Sequence, residues 1–404
     1  MRILIATVTA GAGHVAAAAA LEEAWRAGHP EDDVERLDLV KFFSPLHRKV
    51  VSDGYVKLVE RAPELWGMVF KKTDDPNLAR RLNRIQRLFP SNSRARFERH
   101  LKHFKPDVVL CTHYSPLQTL EHLKRKGIGR GSPRADGAPN HFAVVPARDN
   151  SLAPPHKTRP LQPFVVSVVT DFEAHALWMN KCVDLYCVAA EETKARLVAR
   201  GAAAENILAA GIPISTRFSA SPDPDIVRKA IGVRDDLPII LVLSGGFGMG
   251  PVAEILAELD KVGQQFQTVV VTGRNEELRR EVAASDRKHP THVLGFASNM
   301  HELMAIAGLI ITKPGGLTSS EALAMGKPLF ILNPIPGQEA ANSDFLLERG
   351  AAVKINRVED LPYRIERLLG TAKLAEMEVA ARALGRAGAA KAICEEVLKR
   401  IKSE

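Results

Sequence analysis

One pattern occurs twice in this chain: an apolar segment of strand length, a glycine-rich loop and the start of a helix. The first copy covers residues 2–14 (RILIATVTAGAGH) and the second residues 239–250 (IILVLSGGFGMG), about half a chain apart. A strand, a glycine turn and a helix in this order open a Rossmann-like parallel sheet. The repeat therefore predicts an α/β protein of two Rossmann-like domains that face each other across a cleft.

Further short apolar segments follow each copy and have the length of buried parallel strands. They lie at residues 34–39, 107–111, 164–169, 185–188, 268–271, 291–294, 309–311, 328–332 and 352–355. The boundary between the two predicted domains falls near Gly211, which gives an N-terminal domain of residues 1–212 and a C-terminal domain of residues 213–380. The helical stretch 372–400 is long enough to cross the boundary, so we expect residues 381–404 to pack on the N-terminal domain. Residues 129–160, rich in Pro, Gly and Arg, are interpreted as a surface loop.

Composition places the chain among soluble globular proteins. Of its 404 residues, 46% are hydrophobic and 25% are charged. No apolar run approaches the roughly 18 residues needed to cross a bilayer. The four cysteines have no metal-ligand spacing, which predicts buried thiols in a reducing cytoplasm. Asp223 and Asp225 lie in a proline turn before a helix, which indicates capping, and no metal or other cofactor is expected.

Residues 311–342 (ITKPGGLTSSEALAMGKPLFILNPIPGQEAAN) place two polar turns in one βαβ unit. Gly315 and Gly316 allow a sharp turn into a helix whose first N–H groups, with a hydroxyl from Thr318 or Ser319, suit a phosphate oxygen. The side chains that follow suit the hydroxyls of a ribose or hexose: Glu321 for the ribose, and Gln338, Glu339 and Asn342 for the sugar. The plainer interpretation is a capped helix between two buried strands, and the second polar turn argues against it.

Three more loops of the second half are expected at the same edge of its sheet. Exposed backbone amides and a flat apolar side chain in these loops would suit a nucleobase, and glycines would let the backbone approach a ligand. Taken singly, each loop is equally compatible with a simple turn from strand to helix. The candidate donor-binding residues in these loops are Gly246, Phe247, Gly248, Gly273, Arg274, Asn275, Phe296, Asn299 and Met300.

His14 ends the first glycine loop at the start of a helix. A helix N-terminus disfavours imidazolium, so the ring is expected to be neutral and able to accept a proton near pH 7. Its place at the cleft makes it the candidate catalytic base. Asp171 and His175 follow a strand and would share one helical face at i and i+4, as an alternative acid/base pair. Capping of a helix by Asp171 is the simpler interpretation of that residue.

Positive charge is concentrated in residues 71–105, where eleven Lys or Arg stand against three Asp or Glu. Apolar residues are interleaved with them, which is typical of a basic amphipathic helix on an anionic membrane surface. The candidate membrane-binding side chains are Arg80, Arg81, Arg84 and Arg87. A solvated helix face would show a similar pattern. No nucleic acid is expected as a partner, because aromatic residues are few and no recognition motif appears.

These motifs resemble glycosyltransferase family 28, and within it the monogalactosyldiacylglycerol synthases and the bacterial diacylglycerol glucosyltransferases. The resemblance covers nearly the whole chain, and its last two motifs are the most specific. The motifs are TAGAGH, THYSPLQ, VVTDFEAHALW, GIPI, SGGFGMGP, VTGRN, GFASNM, ITKPGGLTSSEAL and PIPGQEAAN.

The resemblance implies a GT-B fold, a UDP-sugar donor in the second domain and diacylglycerol as acceptor at a first domain that sits on the membrane. We then expect an inverting transfer, in which His14 deprotonates the acceptor hydroxyl and β-glycosyl diacylglycerol forms without a metal. The enzyme would be cytoplasmic and peripheral on the inner face of the cell membrane. Glucose and galactose both stay open, because they differ at one hydroxyl that Gln338, Glu339 or Asn342 could read either way.

Three alternatives are kept. A family 28 transferase could use UDP-GlcNAc on another lipid-linked acceptor. The loop TAGAGHVA also fits Gly-x-Gly-x-x-Ala, with Asp38 near the position of a ribose-binding acid, as in an NAD-dependent oxidoreductase. That function leaves the second phosphate-type site unexplained. The third alternative is a membrane-surface binding protein with a degenerate nucleotide fold.

Overall fold

The computed structural model describes residues 1–9, 11–44, 62–75, 78, 91–125, 163–245, 250–332 and 334–403. Several residues singled out above therefore lie outside the described part of the chain. They are Gly246, Phe247 and Gly248 of the second glycine loop, Arg80, Arg81, Arg84 and Arg87 of the basic stretch, and the loop at residues 129–160.

The first sheet has six parallel strands in the order β2-β1-β3-β4-β5-β6. These strands are β1 (Arg2–Thr7), β2 (Asp33–Asp38), β3 (Val108–Cys111), β4 (Phe164–Val168), β5 (Leu185–Val188) and β6 (Ile207–Ala209). Nearly every residue of the inner strands is buried, as expected for a sheet covered by helices on both faces.

The second sheet also has six parallel strands, in the order β12-β11-β10-β7-β8-β9. They are β7 (Ile239–Leu243), β8 (Gln267–Val271), β9 (Thr291–Leu294), β10 (Leu309–Thr312), β11 (Leu329–Leu332) and β12 (Ala352–Ile355). The order reverses between β7 and β10. At such a point the loops at the carboxyl ends of neighbouring strands diverge to opposite faces, which opens a crevice for ligands.

Helices cover both faces of each sheet. In the described part of the chain, the α-helices are α1 (Ala12–Gly28), α2 (Pro63–Thr73), α3 (Ser91–Phe104), α4 (Ser115–Arg125), α5 (Glu191–Ala199), α6 (Pro224–Ile231), α7 (Val252–Leu259), α8 (Glu276–Ala283), α9 (Met300–Ile306), α10 (Gly316–Ala324), α11 (Gln338–Glu348), α12 (Leu361–Leu368), α13 (Ala372–Leu384) and α14 (Ala389–Ser403). Within the described residues, no helix is long and apolar enough to cross a membrane.

The nine strands predicted from apolar segments are all present, each within one residue of its predicted ends. The short strand β6 was missed, because its three residues carry too little pattern to be recognised. The prediction of an α/β fold with two Rossmann-like domains is confirmed. Asp223 caps α6 by accepting a hydrogen bond from the Asp225 amide (3.0 Å), and all four cysteines are buried free thiols, as predicted.

Two helix predictions are corrected. The stretch 372–400 forms two helices, α13 and α14, separated at Gly385, where a Cβ atom would lie 2.6 Å from the Leu323 carbonyl oxygen. The basic stretch 71–105 is not one surface helix, because α2 ends at Thr73 and α3 begins at Ser91. Phe97 and Leu101 of α3 are each only 1% exposed, so their apolar face belongs to the core beneath β1 and β3.

The last helix returns to the first sheet. Ile393, Cys394 and Val397 of α14 pack with Leu21 and Trp25 of α1 in one apolar cluster. The chain therefore ends against the domain in which it began, while α13 packs on α10 of the second domain.

Candidate active site

The N-terminal ends of α1 and α10 meet where the two domains touch. Gly316, the first residue of α10, lies so close to Thr170 that a Cβ atom on it would be 2.0 Å from the Thr170 carbonyl oxygen. Only glycine allows this approach. Gly13 of α1 in turn faces Leu317, whose Cδ2 would be 3.3 Å from an added Cβ. Both helices begin at the carboxyl ends of parallel strands, where sheets of this type bind ligands.

His14 is the third residue of α1 and is half-buried. Its Nδ1 lies 2.9 Å from Thr170 Oγ1, and its carbonyl oxygen accepts a hydrogen bond from Thr112 Oγ1 (2.9 Å). No hydrogen bond to its Nε2 is found among the residues that the structure describes, and a backbone group of Thr112 lies close enough to the ring to act on its pKa. Burial lowers the pKa of His14 below its ordinary value, and the nearby Asp171 carboxylate opposes that shift. The imidazole is therefore neutral near pH 7, with Nε2 able to accept a proton.

A second histidine, His113, packs against His14. It is not among the site residues predicted from the sequence. The His14 and His113 rings meet edge to face with centroids 4.8 Å apart. The Ser115 amide donates to His113 Nδ1 (3.1 Å), and burial lowers the His113 pKa well below its usual range. A neutral His113 places no second positive charge beside His14. The available signal was its position directly after β3, at the carboxyl edge of the first sheet.

Asp171 follows β4 and lies close enough to His14 for their charges to interact. Burial raises the pKa of its carboxyl group, against the opposing effect of a hydrogen bond from Asn342 Nδ2 (3.0 Å). Residues 171–173 form bends and residues 174–175 are irregular, so the predictions that Asp171 caps a helix or shares a helical face with His175 are wrong. His175 Nδ1 instead accepts the Leu177 amide (3.1 Å).

Asn342 has a different environment from the one predicted. Its side chain is 0% exposed. Its Oδ1 accepts the Phe172 amide (2.8 Å), and its Nδ2 donates to Asp171 Oδ1 and to the Pro314 carbonyl (both 3.0 Å). All three hydrogen bonds of the amide are made to protein groups, which belong to both domains. The amide therefore does not face the cleft and is not available to bind a sugar hydroxyl. Its distant partners could not be identified from local sequence.

The turn into α10 retains the features of an anion site. Gly315 precedes the helix, and the amides of Gly316, Leu317 and Thr318 have no intrahelical acceptor. Thr318 is half-buried, whereas Ser319 is fully buried and its Oγ has no partner among the described residues. A small cleft between the ends of β7 and β10 lies beside this turn and is lined in part by Ser244, Gly250, Thr312 and Lys313.

Glu321 lies one turn further along α10. Its side chain is half-buried, with no compensating cation beside it, and this burial raises its pKa from 4.5 to about 8. A ligand that donates hydrogen bonds to this carboxyl group would stabilise its ionised form, which burial alone disfavours. Vicinal hydroxyl groups, such as those of a ribose, are donors of this kind.

The second polar turn contacts α2 of the first domain. Gly337 adopts φ +99°, and a Cβ on it would be 2.6 Å from Phe70 Cγ, so both conformation and space require glycine. Trp66 Nε1 donates to Gln338 Oε1 (3.3 Å). Glu339 Oε2 accepts the Ile335 amide (2.8 Å), which closes the turn, while burial raises the Glu339 pKa. Gln338 and Glu339 thus stand at the domain boundary.

Helix α2 is fastened to the Asp171 loop at its C-terminal end. Asp74 Oδ1 accepts the Ala176 amide (2.8 Å), and its Oδ2 pairs with Arg200 (2.7 Å) and Arg196 (3.1 Å). Burial opposes ionisation of Asp74, but these donors outweigh it and lower the pKa of the carboxyl group. None of these contacts is predictable from local sequence, because the two segments lie about a hundred residues apart.

The loops after β8 and β9 combine capping with an exposed planar surface. Asn275 caps α8 by accepting the Leu278 amide (3.0 Å), and Asn299 Nδ2 donates to Glu302 (2.7 Å) at the start of α9. Arg274 lies over the Phe296 ring, 5.4 Å from its centroid, and Phe296 is 64% exposed. Gly273 and Met300 flank this pair. Gly273 is a turn residue with φ +62°, and Met300 is the first residue of α9. Both loops are strand-to-helix turns, and together they expose the Arg274–Phe296 pair to solvent.

Asp38 is the candidate ribose-binding acid of the oxidoreductase alternative. Its carboxylate is hydrogen-bonded to backbone groups of the first domain. Its Oδ1 accepts the amides of Val40 (3.0 Å) and Thr9 (3.2 Å). These bonds close the loop at the end of β1 and hold the short turn after β2.

Two Rossmann-type domains that meet at the carboxyl edges of their parallel sheets, with the last helix returning to the first domain, define the GT-B fold. Solved structures with this architecture resemble the whole chain. MurG from Acinetobacter baumannii aligns over 98% of this chain and 99% of its own, with a TM-score of 0.58 at 15% sequence identity. A UDP-GlcNAc 2-epimerase from Neisseria meningitidis, solved with UDP-GlcNAc, aligns over 99% and 100% with a TM-score of 0.57, also at 15% identity.

Sequence comparison identifies the family. Residues 14–131 and 150–214 match the family described as monogalactosyldiacylglycerol (MGDG) synthase, and residues 239–397 match the glycosyltransferase family 28 C-terminal domain. The chain belongs to glycosyltransferase family 28. It is 29% identical over 406 residues to a processive diacylglycerol beta-glucosyltransferase of Bacillus thuringiensis, covering 98% of this chain and 93% of the relative. A protein of the same name from Bacillus licheniformis is 26% identical, with 98% and 94% covered.

Proposed function

We propose that this protein transfers a hexose from a UDP-sugar to diacylglycerol and so forms β-glycosyl diacylglycerol. The observation that carries the proposal is the meeting of two helix N-termini at the domain boundary. One supplies a neutral histidine with a free Nε2, and the other supplies the unpaired amides of an anion site. The acceptor is that of the named relatives in Bacillus, and UDP binding is described for several structures of the same fold.

The donor would lie along the second domain. Its diphosphate would take the amides of the α10 turn and the Thr318 hydroxyl, its ribose would take Glu321, and its base would lie near Arg274 and Phe296. We propose that Gln338 and Glu339 contact the hexose. Negative charge that builds on the leaving UDP would be stabilised by the α10 N-terminus, so no metal is proposed.

The reaction is a single displacement at the anomeric carbon. The acceptor hydroxyl oxygen forms a bond to that carbon on one face, while the bond from the carbon to the β-phosphate oxygen breaks on the other. The hydroxyl proton passes to His14 Nε2, and UDP leaves with the bonding electron pair. Attack from the face opposite the leaving group inverts the configuration, which converts an α-linked donor into a β-glycoside.

The acceptor side is proposed to work on an anionic membrane at the inner face of the cell. Helix α2 supports this assignment, because Leu65, Met68 and Val69 are 41–57% exposed on a helix with no buried residue. Lys71 and Lys72 stand exposed at its last turn. An apolar helix face edged by lysines suits a bilayer with anionic lipids. The arginines at 80, 81, 84 and 87 are proposed to extend that surface.

The test is transfer by the purified protein. Liposomes containing diacylglycerol and phosphatidylglycerol are incubated with UDP-glucose or UDP-galactose, and the lipids are analysed by mass and by the anomeric proton coupling. A hexosyl diacylglycerol with β configuration is expected from at least one donor and not from His14→Ala. His103→Ala, which changes an exposed histidine of α3, is the matched control. Absence of any glycolipid with either donor would overturn the proposal, and a product of the other configuration would overturn the mechanism.

A further inference from the structure

The side chain of Asn342 joins the two halves of the site. It projects from α11 of the second domain and bonds to two consecutive residues of the first, Asp171 and Phe172. Its third bond, to the Pro314 carbonyl, ties the same amide to the turn that precedes α10. One fully buried side chain thus contacts both the Asp171 loop and the anion-site turn.

The partners fix the orientation of the amide. The Phe172 N–H can only donate, so it must face Oδ1, and the Pro314 carbonyl can only accept, so it must face Nδ2. The second hydrogen of Nδ2 then points at Asp171 Oδ1. A donor in this position favours the ionised carboxylate over the carboxylic acid.

The groups around His14 leave Asp171 as its one acidic neighbour among the described residues. His113 after β3 is buried and neutral, and Thr170 after β4 meets Nδ1. On the side of the second domain, Glu339 of α11 faces Asp171, whose charge disfavours ionisation of Glu339. Without the Asn342 bond, burial would favour the neutral form of Asp171.

We propose that Asn342 is a positioning residue for the catalytic base: from the second domain it holds the Asp171 carboxylate, charged and oriented, beside His14. The carboxylate then stabilises the imidazolium that forms when His14 takes the acceptor proton. The base is therefore complete only when the two domains are together, which links proton transfer to domain closure. The expected effect on kcat rests on the proposed function, whereas the expected effect on the pKa of His14 does not.

The electrostatic consequence is tested on the free protein by following the His14 ring through its pH titration by NMR. Asn342→Ala and Asp171→Asn are both expected to lower the His14 pKa, and the double variant is expected to lower it no further than Asp171→Asn alone. Ser343→Ala, an equally buried change on α11 with no bond to Asp171, is the control and should leave the titration unchanged. If Asn342→Ala does not fold, Asn342→Ser takes its place, since a hydroxyl fills part of the volume but is too short to reach Asp171.

The kinetic consequence is measured on the same variants. Asn342→Ala should lower kcat by about tenfold to a hundredfold and move the acid limb of the kcat profile to lower pH, with little change in the KM for the UDP-sugar. A His14 titration that is unaltered by Asp171→Asn or by the Asn342 variant, or losses in kcat that multiply in the double variant, would overturn the inference. If no glycolipid forms in the parent protein, the proposed function fails, and the NMR titration still decides whether Asn342 acts on His14 through Asp171.

Discussion

Thr170 Oγ1 lies 2.9 Å from His14 Nδ1, and the carbonyl oxygen of the same threonine is the atom against which Gly316 packs. One residue therefore contacts both the histidine of the first domain and the turn that begins α10 of the second. For Nε2 to take a proton, Nδ1 must carry the ring hydrogen, and the Thr170 hydroxyl is then its acceptor.

Replacing this hydroxyl should impair proton transfer without disturbing the donor site. Thr170→Val keeps the shape of the side chain but leaves a buried N–H unpaired, which costs about 1–3 kcal/mol. We expect kcat to fall by roughly tenfold to a hundredfold, with UDP affinity unchanged by calorimetry. Thr268→Val, at an equally buried threonine of β8, is the control. Normal turnover in Thr170→Val would show that His14 is oriented by other contacts.

Adding a methyl group at Gly316 should separate the domains. A Cβ at 2.0 Å from the Thr170 carbonyl oxygen cannot be accommodated by a side-chain rotation, because the opposing atom is backbone. Gly316→Ala is expected to lower kcat/KM by at least about a hundredfold, since a shift of about 1 Å at a reacting centre has effects of that size. Small-angle scattering should also report a more open molecule. Gly28→Ala, with nothing within 4 Å of the added atom, should match the parent in both measurements.

Glu321 should make both stability and nucleotide binding depend on pH. Its folded pKa of about 8 lies above the ordinary 4.5, so its contribution to stability is fully present below pH 4.5 and is lost as pH rises through 8. Glu321→Gln removes this loss. Its Tm should equal that of the parent below pH 4.5 and exceed it increasingly as the pH rises to 8 and above, by up to a few degrees.

Nucleotide binding should change in the opposite direction. The ionised Glu321 accepts hydrogen bonds from ribose hydroxyls, so UDP affinity of the parent should rise as pH passes through about 8. In Glu321→Gln the affinity should be lower, by about 1–3 kcal/mol, and flat over this range. Glu254→Gln, on the exposed surface of α7, should follow the parent in both experiments. A pH-independent parent would remove Glu321 from the nucleotide site.

Membrane binding should depend on the apolar face of α2 as well as on the basic stretch. Leu65→Gln with Met68→Gln should weaken sedimentation with phosphatidylglycerol liposomes at every salt concentration, because burial of each apolar side chain contributes roughly 1.5–3 kcal/mol. The control pair Ile226→Gln with Val379→Gln changes two side chains that are 67% and 70% exposed on α6 and α13. If both pairs bind liposomes alike, α2 is not the membrane contact.

Replacement of Arg80, Arg81, Arg84 and Arg87 by Gln should give a different signature. Each cation near an anionic surface contributes about 1 kcal/mol, and salt screens this attraction over roughly 8 Å at physiological ionic strength. The quadruple variant should therefore lose binding at low salt and differ little from the parent at high salt. Activity on a short-chain, soluble diacylglycerol should survive. A variant that sediments as well as the parent at both salt concentrations would show that these arginines form only a solvated surface.

The framework of this protein was predictable because its signals are local. The apolar run at 185–188 became a strand with those same ends, since a strand covered by helices on both faces is buried throughout its short length. Asp223 was predictable as a cap because its partner amide is two residues away. The positions of His14 and of the 315–316 turn at the starts of helices were also predictable, because a glycine loop after a strand leads directly into the next helix.

What only the tertiary structure decided was the partner of each polar group. The side chain of Asn342 has the hydrogen-bonding groups of a sugar-binding residue. Its amide is instead hydrogen-bonded to Phe172 and Asp171, about 170 residues away in the sequence. Phe97 and Leu101 alternate with basic residues as a membrane helix would, yet they fill the core. Local sequence records the chemistry of a side chain and its face on a helix or strand. Which domain covers that face is set by contacts between distant segments, and burial then determines whether a carboxyl group such as Glu321 is charged.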